Sequence, residues 1–134
     1  MLDSNESPRG GAHGPVLVVD DSPDFRKAML DVLTDSGRQV VLAENGEDAL
    51  LKLSKMARPC IILLDLMMPV MGGFEFLDEL AKLHIDVPVL AVSAHASLAP
   101  AERYPRLLGT LKKPFHISEL LSIVDEYCSG RHSE

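Results

Sequence analysis

The sequence predicts an α/β fold in which five parallel strands form one sheet with helices on both of its faces. Short apolar runs alternate with segments of helical period five times along the chain. Most of these runs are apolar at every position, which is typical of strands buried on both faces of a parallel sheet. The length of 134 residues fits one domain that can bury a core of its own.

Five runs are predicted as strands. The third contains no polar residue, as expected of a central strand. A helical segment between successive strands gives the chain the crossovers that a parallel sheet needs. In chain order, the predicted strands are Val16–Val19, Gln39–Ala43, Cys60–Leu64, Val87–Val92 and Gly109–Lys112.

The first helix is predicted to begin at Ser22-Pro23 and to end at Gly37. Serine is a favourable N-cap, proline suits the first helical position, and glycine commonly follows the last turn. Apolar residues at helical spacing form its buried stripe. They are Phe25, Ala28, Met29, Val32 and Leu33.

Three further helices show the same spacing. The second is predicted to begin at Asn45 or Gly46, the third to follow a Met-Pro-Val-Met-Gly-Gly loop, and the last to begin near His116 or Ser118. Their predicted apolar faces are Ala49, Leu50, Leu53 and Ala57; Phe74, Leu77, Leu80 and Ala81; and Ile117, Leu120, Leu121, Val124 and Cys128.

The helix after the fourth strand is predicted to be short or irregular. Pro100 can start it, but Pro105 should end or kink it within about two turns. Residues 1–13 have almost no apolar content and are predicted to be a disordered tail. The predicted domain covers 14–129, with 130–134 as a short C-terminal tail.

Composition excludes several classes of function. The net charge is −7, aromatic residues make up 4% and tryptophan is absent, so direct nucleic acid binding by this domain is not expected. No apolar run is long enough to span a membrane, and the N-terminus does not resemble a secretory signal. Cys60 and Cys128 are predicted to be two buried thiols in a reducing compartment, which favours a cytoplasmic location.

Polar residues follow four of the predicted strands. Asp20-Asp21 follows the first, Asp65 the third, Ser93 closes the fourth, and Lys112-Lys113 ends the fifth. Each has a local explanation, such as helix capping, a turn or a solvated pair. All four nevertheless fall at the carboxyl edge of one sheet, where open α/β folds bind ligands.

Strand order 2-1-3-4-5 would make the first and third strands neighbours, so that Asp20, Asp21 and Asp65 converge. Three close carboxylates repel one another, and a divalent cation removes the conflict. Hard oxygen ligands favour Mg²⁺, and no cluster of histidine and cysteine offers a zinc site. Ser93 and Lys113 would flank these acids and form a receptor for a phosphoryl group, with a carboxylate able to attack in line.

Other α/β chemistries lack their motifs. The first strand–helix turn has no glycine and cannot bind a dinucleotide, and no Walker-type Gly-Lys-Ser/Thr is present. No Gly-x-Ser-x-Gly elbow occurs. An aspartyl phosphatase of the dehalogenase kind would need a second aspartate at position 67, where this chain has methionine.

These residues resemble the CheY-like receiver domain of two-component and phosphorelay response regulators. The resemblance covers roughly residues 15–128, and its motifs occur in order at the expected strand ends. Val16–Ser22 is similar to the first strand and acidic pair, and Asp65–Gly73 to the phosphoacceptor loop. Ser93-Ala94 and Lys113-Pro114-Phe115 are similar to the remaining motifs. The resemblance implies a flavodoxin-like (βα)5 fold.

The resemblance also implies a role for each residue. Asp65 would accept a phosphoryl group from a histidine kinase or phosphotransfer protein. Asp20, Asp21, Asp65 and the backbone carbonyl of Met67 would hold Mg²⁺. Ser93 and Lys113 would bind the phosphoryl group, and the Lys113-Pro114 bond would be cis. Lys113 is preferred to Lys112 because Leu111 and Lys113 point to the same side of the strand.

Two departures from the family concern how the phosphorylated state is transmitted to a partner. Thr110 stands where the family usually has an aromatic switch residue, three positions before its lysine, and the fourth helix is irregular. The resemblance implies that Met67 and His95, two residues after Asp65 and Ser93, lie beside the site and tune the lifetime of the phosphoryl group. Because methionine cannot orient an attacking water, slow self-dephosphorylation is expected.

The preferred interpretation is a phosphoacceptor signalling domain, not an enzyme, that switches the binding of a downstream protein. It would be a monomer or a phosphorylation-dependent dimer. A phosphorylation-independent adaptor of the same fold is the alternative, favoured by Thr110 and opposed by the intact acidic cluster. A Mg²⁺-dependent phosphohydrolase ranks last, since the sequence offers no lid or substrate pocket.

Overall fold

A computed structural model of the chain describes residues 14–94 and 104–129. The strands are β1 Val16–Val19, β2 Val40–Ala43, β3 Ile61–Leu64, β4 Val89–Ser93 and β5 Leu107–Lys112. The helices are α1 Pro23–Asp35, α2 Gly46–Leu53, α3 Gly73–Lys82 and α4 Ile117–Cys128. The predicted tails, the start of the predicted fourth helix at Pro100, and His95 lie outside the described residues, so α4 corresponds to the last predicted helix.

The five strands form one parallel sheet in the order β2-β1-β3-β4-β5, which confirms the predicted order 2-1-3-4-5. Val19 at the end of β1 pairs with Ala43 of β2 on one side and with Leu64 of β3 on the other. The carboxyl ends of these three strands are therefore level, and residues that follow them meet at one edge.

The core lies on both faces of the sheet, as the apolar strands require. Leu17 and Val19 face one cluster, to which α2 and α3 contribute, and Val16 and Val18 face the other, to which α1 and α4 contribute. This alternation follows from the period of two residues along a strand. All four β1 residues are fully buried.

Local sequence signals placed the starts of α1 and α2 correctly. The Ser22 side chain accepts a hydrogen bond from the Phe25 amide at 3.2 Å, and Asn45 accepts one from the Asp48 amide at 2.8 Å. Gly37, two residues beyond α1, has a φ of +89°, a conformation that glycine adopts without strain.

The predicted apolar faces were partly wrong. Phe76 was left out, yet it is one of the largest fully buried side chains, whereas Ala28 and Ala81 are exposed. Helix α2 ends at Leu53, so Ala57 does not extend its face. Spacing alone fixes a stripe to within one residue, and the tilt of the helix against the sheet decides which edge of the stripe is covered.

Four strands begin at other residues than expected: β2 begins at Val40 rather than Gln39 and β3 at Ile61 rather than Cys60, and the other two differ by two residues each. β4 begins at Val89 rather than Val87, and β5 begins at Leu107 rather than Gly109. Gly109 lies inside β5 with a φ of +148°, and the pairing with β4 shifts register between Val89 and Leu90. A bulge therefore lies where the sequence suggested a strand end, since glycine is typical of both features.

The prediction of two free thiols is wrong. Cys60, just before β3, and Cys128, at the end of α4, form a disulfide with their Cα atoms 5.2 Å apart. Both residues are 2% exposed. The bond joins the last helix to the central strand at the end of the sheet opposite the carboxyl edge, and the argument for a reducing compartment loses its support.

Within residues 14–94 and 104–129, no helix is both long and apolar enough to cross a membrane.

Candidate functional site

Two buried acids lie side by side at the carboxyl edge of the sheet. Asp20 directly follows Val19, and Asp65 directly follows Leu64. Val19 and Leu64 are paired in the sheet. The Asp65 amide donates to the Val19 carbonyl at 2.9 Å, which extends the ladder by one residue. With Asp21 they offer three carboxylate oxygens within 4.8 Å of one another. The predicted convergence of these acids is therefore present.

Asp20 is held in one orientation by three hydrogen bonds. Its Oδ1 accepts from the Ser22 amide at 2.9 Å, and its Oδ2 accepts from Lys113 Nζ at 2.8 Å. Its backbone carbonyl accepts from the Arg26 guanidinium at 2.7 Å. The Oδ1 contact is a local turn ahead of Ser22, which is the N-cap of α1, and it does not account for the lysine on the other oxygen.

Asp65 is 8% exposed and has weaker support. Its Oδ1 accepts from the Met67 amide at a long 3.4 Å. Burial, followed by the nearby charge of Asp20, raises the pKa of the Asp65 carboxyl above its ordinary value. Lys113, the Met67 amide and the Ser93 hydroxyl act in the opposite direction.

The donor set fits a divalent cation. Asp20 and Asp65 are buried and Asp21 is exposed, so the three carboxylates meet at the boundary between the protein interior and solvent. Asp65 is buried beside the charge of Asp20, and both raise the pKa of its carboxyl, so a cation at this position would stabilise its charged form. An all-oxygen site with room for water suits Mg²⁺, which keeps several of its waters when bound.

The loop after β3 is fixed by a close approach to α3. A Cβ atom on Gly73 would lie 2.7 Å from the Asp65 carbonyl oxygen and 2.7 Å from Leu66 Cα, so this position needs glycine. The Gly73 amide donates to the Leu66 carbonyl at 3.1 Å. Helix α3 thus begins directly behind Asp65 and holds its backbone in place.

Ser93 and Lys113 lie on the other side of the acids. Ser93 ends β4 and is fully buried, and its carbonyl accepts from the Lys113 amide at 3.1 Å. The Lys113-Pro114 bond is cis, as the resemblance implies. Lys113 reaches Asp20 while Lys112 is exposed, so the structure agrees with the preference for Lys113. The ammonium donates a hydrogen bond to Asp20, however. It acts on Asp65 only through a longer-range electrostatic attraction.

Sequence reasoning missed one residue at this edge. Phe25 was assigned only to the apolar stripe of α1, yet its ring lies under the Lys113 ammonium, with Nζ 4.0 Å from the ring centroid. An aromatic residue at a helix stripe position normally indicates core packing, so no local signal distinguished the two uses.

In metal-free buffer at neutral pH, Asp65→Asn is expected to raise the free energy of unfolding, because it removes a carboxylate whose charge the fold opposes. Between the ordinary carboxyl pKa and the raised pKa of Asp65, the folded state binds more protons than the unfolded state, so wild-type stability falls as pH rises through that window. Below both pKa values the advantage of asparagine should vanish.

Urea unfolding at neutral and acidic pH would measure this difference. Asp24→Asn, at an exposed position in the first turn of α1, is the matched control. An Asp65→Asn protein that is no more stable than the wild type at neutral pH would contradict the electrostatic account.

The model of the response regulator receiver domain family matches residues 16–125. The chain belongs to the response regulator receiver family. A response regulator receiver protein of Anaeromyxobacter sp. is 35% identical over 109 residues, which cover 80% of this chain and 45% of that protein. The DNA-binding transcriptional regulator NtrC of Salmonella typhimurium is 32% identical over 118 residues, which cover 87% of this chain and 25% of NtrC. The receiver domain thus spans less than half the length of these two curated relatives.

Solved receiver domains have the same fold. A Francisella response regulator receiver domain superposes with a TM-score of 0.75 at 29% identity, over 86% of this chain and 96% of that one. The Thermotoga maritima response regulator TrrA superposes with a TM-score of 0.73 at 28% identity, over 84% and 97%. The TrrA structure is a complex with Mg²⁺ and BeF.

Proposed function

We propose that this receiver domain accepts a phosphoryl group on Asp65 in a Mg²⁺-dependent reaction and thereby changes the binding of a partner protein. The observation that carries the proposal is the grouping of Asp65 with two further carboxylates, within 4.8 Å, beside Lys113 and Ser93. The family match supports the same conclusion.

The proposed transfer is a displacement at phosphorus. An Asp65 carboxylate oxygen attacks the phosphorus atom, an O–P bond forms, and the bond from phosphorus to the donor breaks. The leaving group, a histidine nitrogen of a phosphodonor protein or the acetate of acetyl phosphate, retains the electron pair. The Mg²⁺ ion would be held by Asp20, Asp21, Asp65 and the Met67 carbonyl. When bound, it would neutralise charge on the phosphoryl oxygens.

The residues around Asp65 fit this step. Lys113 supplies a cation and Ser93 a hydroxyl, and both can donate to phosphoryl oxygens. A phosphoryl group adds negative charge beside Asp65, which should draw the Lys113 ammonium away from Asp20. Phosphorylation would then shift a two-state equilibrium that a partner detects.

The partners we propose follow from this chemistry. The donor is a histidine kinase or a histidine phosphotransfer protein, and the receiver of the signal is a downstream protein rather than nucleic acid bound by this domain. The family match, rather than the cysteines, supports a cytoplasmic location, where the domain would act as a monomer or as a phosphorylation-dependent dimer. An adaptor that works without phosphorylation remains the second candidate, because half-buried Thr110 in β5 lacks the ring of the usual switch residue.

Intact mass spectrometry with acetyl phosphate tests the proposal. With Mg²⁺ we expect one phosphoryl adduct on the wild-type protein, mapped to the peptide that contains Asp65, and none in EDTA. An adduct mapped to Asp21 or Asp24 instead would reject Asp65 as acceptor. No adduct, even from a phosphohistidine donor, would favour the adaptor, and turnover beyond one equivalent would favour a hydrolase.

Met67→Asn is expected to shorten the lifetime of the phosphorylated form. The Met67 side chain is 49% exposed at the mouth of the site, and methionine cannot hold an attacking water by a strong hydrogen bond. An amide there could add one hydrogen bond to that water, which corresponds to about a two- to tenfold faster dephosphorylation.

The decay of the isolated phosphoprotein measures this effect. Val70→Asn is the matched control, since Val70 is an exposed residue of the same loop. An unchanged or longer lifetime of the Met67→Asn phosphoprotein would refute the role given to this position.

A further inference from the structure

We propose that Phe25 is a positioning residue for Lys113, whose ring keeps the lysine ammonium beside the acidic cluster and within reach of a phosphoryl group on Asp65. This inference rests on the function proposed above and assigns a further residue to the same site.

The Lys113 ammonium has two partners in the structure. Nζ lies 2.8 Å from Asp20 Oδ2 and 4.0 Å from the centroid of the Phe25 ring. The Lys113 side chain is 25% exposed, whereas that of Asp20 is 2% exposed. A lysine at such a boundary has many rotamers that point into solvent. Contact with the ring face favours the rotamers that keep the charge at the site.

Phe25 and Asp20 belong to one ordered unit. The Phe25 amide donates to Ser22 Oγ at 3.2 Å, which fixes the first turn of α1. One residue later, Arg26 donates to the Asp20 carbonyl at 2.7 Å. The ring and the carboxylate that hold Lys113 are therefore fixed relative to each other.

The Phe25 ring also contacts the residue two positions after Lys113. The Phe25 and Phe115 rings meet edge to face, with centroids 6.3 Å apart and an interplanar angle of 81°. Lys113 and Phe115 thus both contact the same ring. This pair of contacts joins the segment after β5 to the start of α1.

The ring gives the ammonium a kind of attraction that an aliphatic side chain cannot give. An ammonium has three N–H donors, and Asp20 uses one of them. The attraction to a ring face comes from the ring quadrupole and does not depend on one acceptor atom. The ammonium can therefore turn a donor toward a phosphoryl oxygen without leaving the ring.

Phosphorylation kinetics in two backgrounds test the role. At saturating Mg²⁺, Phe25→Leu should slow phosphorylation by acetyl phosphate about two- to fivefold, while Phe25→Tyr should keep the wild-type rate. In a Lys113→Met background, Phe25→Leu should cause no further loss. Phe74→Leu, at a half-buried position in the first turn of α3, is the matched control. Equal slowing in both backgrounds, or equal slowing by leucine and tyrosine, would overturn the inference.

A spectroscopic readout needs no phosphoryl donor. The ε-methylene protons of Lys113 should be shifted upfield by the Phe25 ring current, and Phe25→Leu should abolish that shift. A wild-type chain that accepts no phosphoryl group would contradict the proposed function. A missing ring-current shift in a chain that is phosphorylated would overturn the positioning role alone.

Discussion

Replacing Lys113 with methionine is expected to slow phosphorylation of Asp65 by about 100-fold or more, the loss typical when one preorganised donor to a developing charge is removed. Lys113 lies against the acidic cluster, with Nζ 2.8 Å from Asp20 Oδ2. Methionine keeps most of the length of the lysine stem but supplies neither charge nor a hydrogen-bond donor. The rate of adduct formation from acetyl phosphate at saturating Mg²⁺ measures the effect.

Lys112→Met is the matched control for this experiment. Lys112 is the neighbouring residue and carries the same charge, but its side chain is exposed. We expect it to leave the phosphorylation rate within about twofold of the wild type, since an exposed charge interacts weakly through water. Similar losses in the two variants would show that net charge, rather than the placement of Lys113, supports the reaction.

A measurement of Mg²⁺ affinity distinguishes two causes of slow phosphorylation in Lys113→Met. One is loss of the lysine from the transfer step, and the other is disorder of the acidic cluster. Lys113 is a cation bound to one of the proposed metal ligands, so its removal should leave Mg²⁺ affinity unchanged or increase it. Calorimetric titration of both variants measures this. A Lys113→Met protein that binds Mg²⁺ much more weakly than the wild type would indicate a disordered acidic cluster.

Reduction of the Cys60–Cys128 disulfide is expected to lower the free energy of unfolding by about 4 kcal/mol. The bond joins residues 68 positions apart. Opening a loop of that size returns chain entropy to the unfolded state, and the loop-closure relation gives about this value. Urea unfolding of the oxidised and fully reduced protein, each at equilibrium, measures the difference.

The reduced protein should keep its fold, because a second set of contacts holds the end of α4. Arg38 donates to the Cys128 carbonyl at 2.6 Å and to Asp125 Oδ1 at 2.8 Å. A double variant with Cys60→Ser and Cys128→Ser is the control, since its stability should not respond to reductant. If the wild type unfolds at the same urea concentration with and without reductant, the bond does not stabilise this domain.

The parallel sheet and its acidic edge could be predicted from the sequence, because both depend on local patterns and a general rule of topology, whereas the order 2-1-3-4-5 was taken from a common order of such folds and from the family resemblance. Fully apolar runs marked β1 and β3 as buried strands, and parallel pairing brings the residues that follow them to one edge. Asp20 and Asp65 were identified in this way, and the register of Val19 with Leu64 places them as expected. Lys113 was separated from Lys112 by the alternation of side chains along a strand.

Contacts between distant segments could not be predicted by such rules. The apolar surroundings of Cys60 and Cys128 are compatible with two free thiols as well as with a disulfide. Only the packing of α4 against β3 brings their Cα atoms to 5.2 Å. Phe25 occupies a stripe position of α1, and only the path of the chain after β5 places the Lys113 ammonium over its ring. The hydrogen bond of Lys113 to Asp20 rather than to Asp65 is likewise a contact between distant segments.

The sequence by itself therefore determined the fold class, the edge of the sheet that carries the site, and the acids that meet there. The tertiary structure decided which of those acids holds the lysine, which ring lies beneath it, and that the two cysteines are bonded. The physical reason is that the spacing of apolar residues in strands and helices repeats over a few residues, so it can be recognised in a short stretch of sequence. The distances between α1, α4 and the ends of β3 and β5 depend on how whole elements pack together.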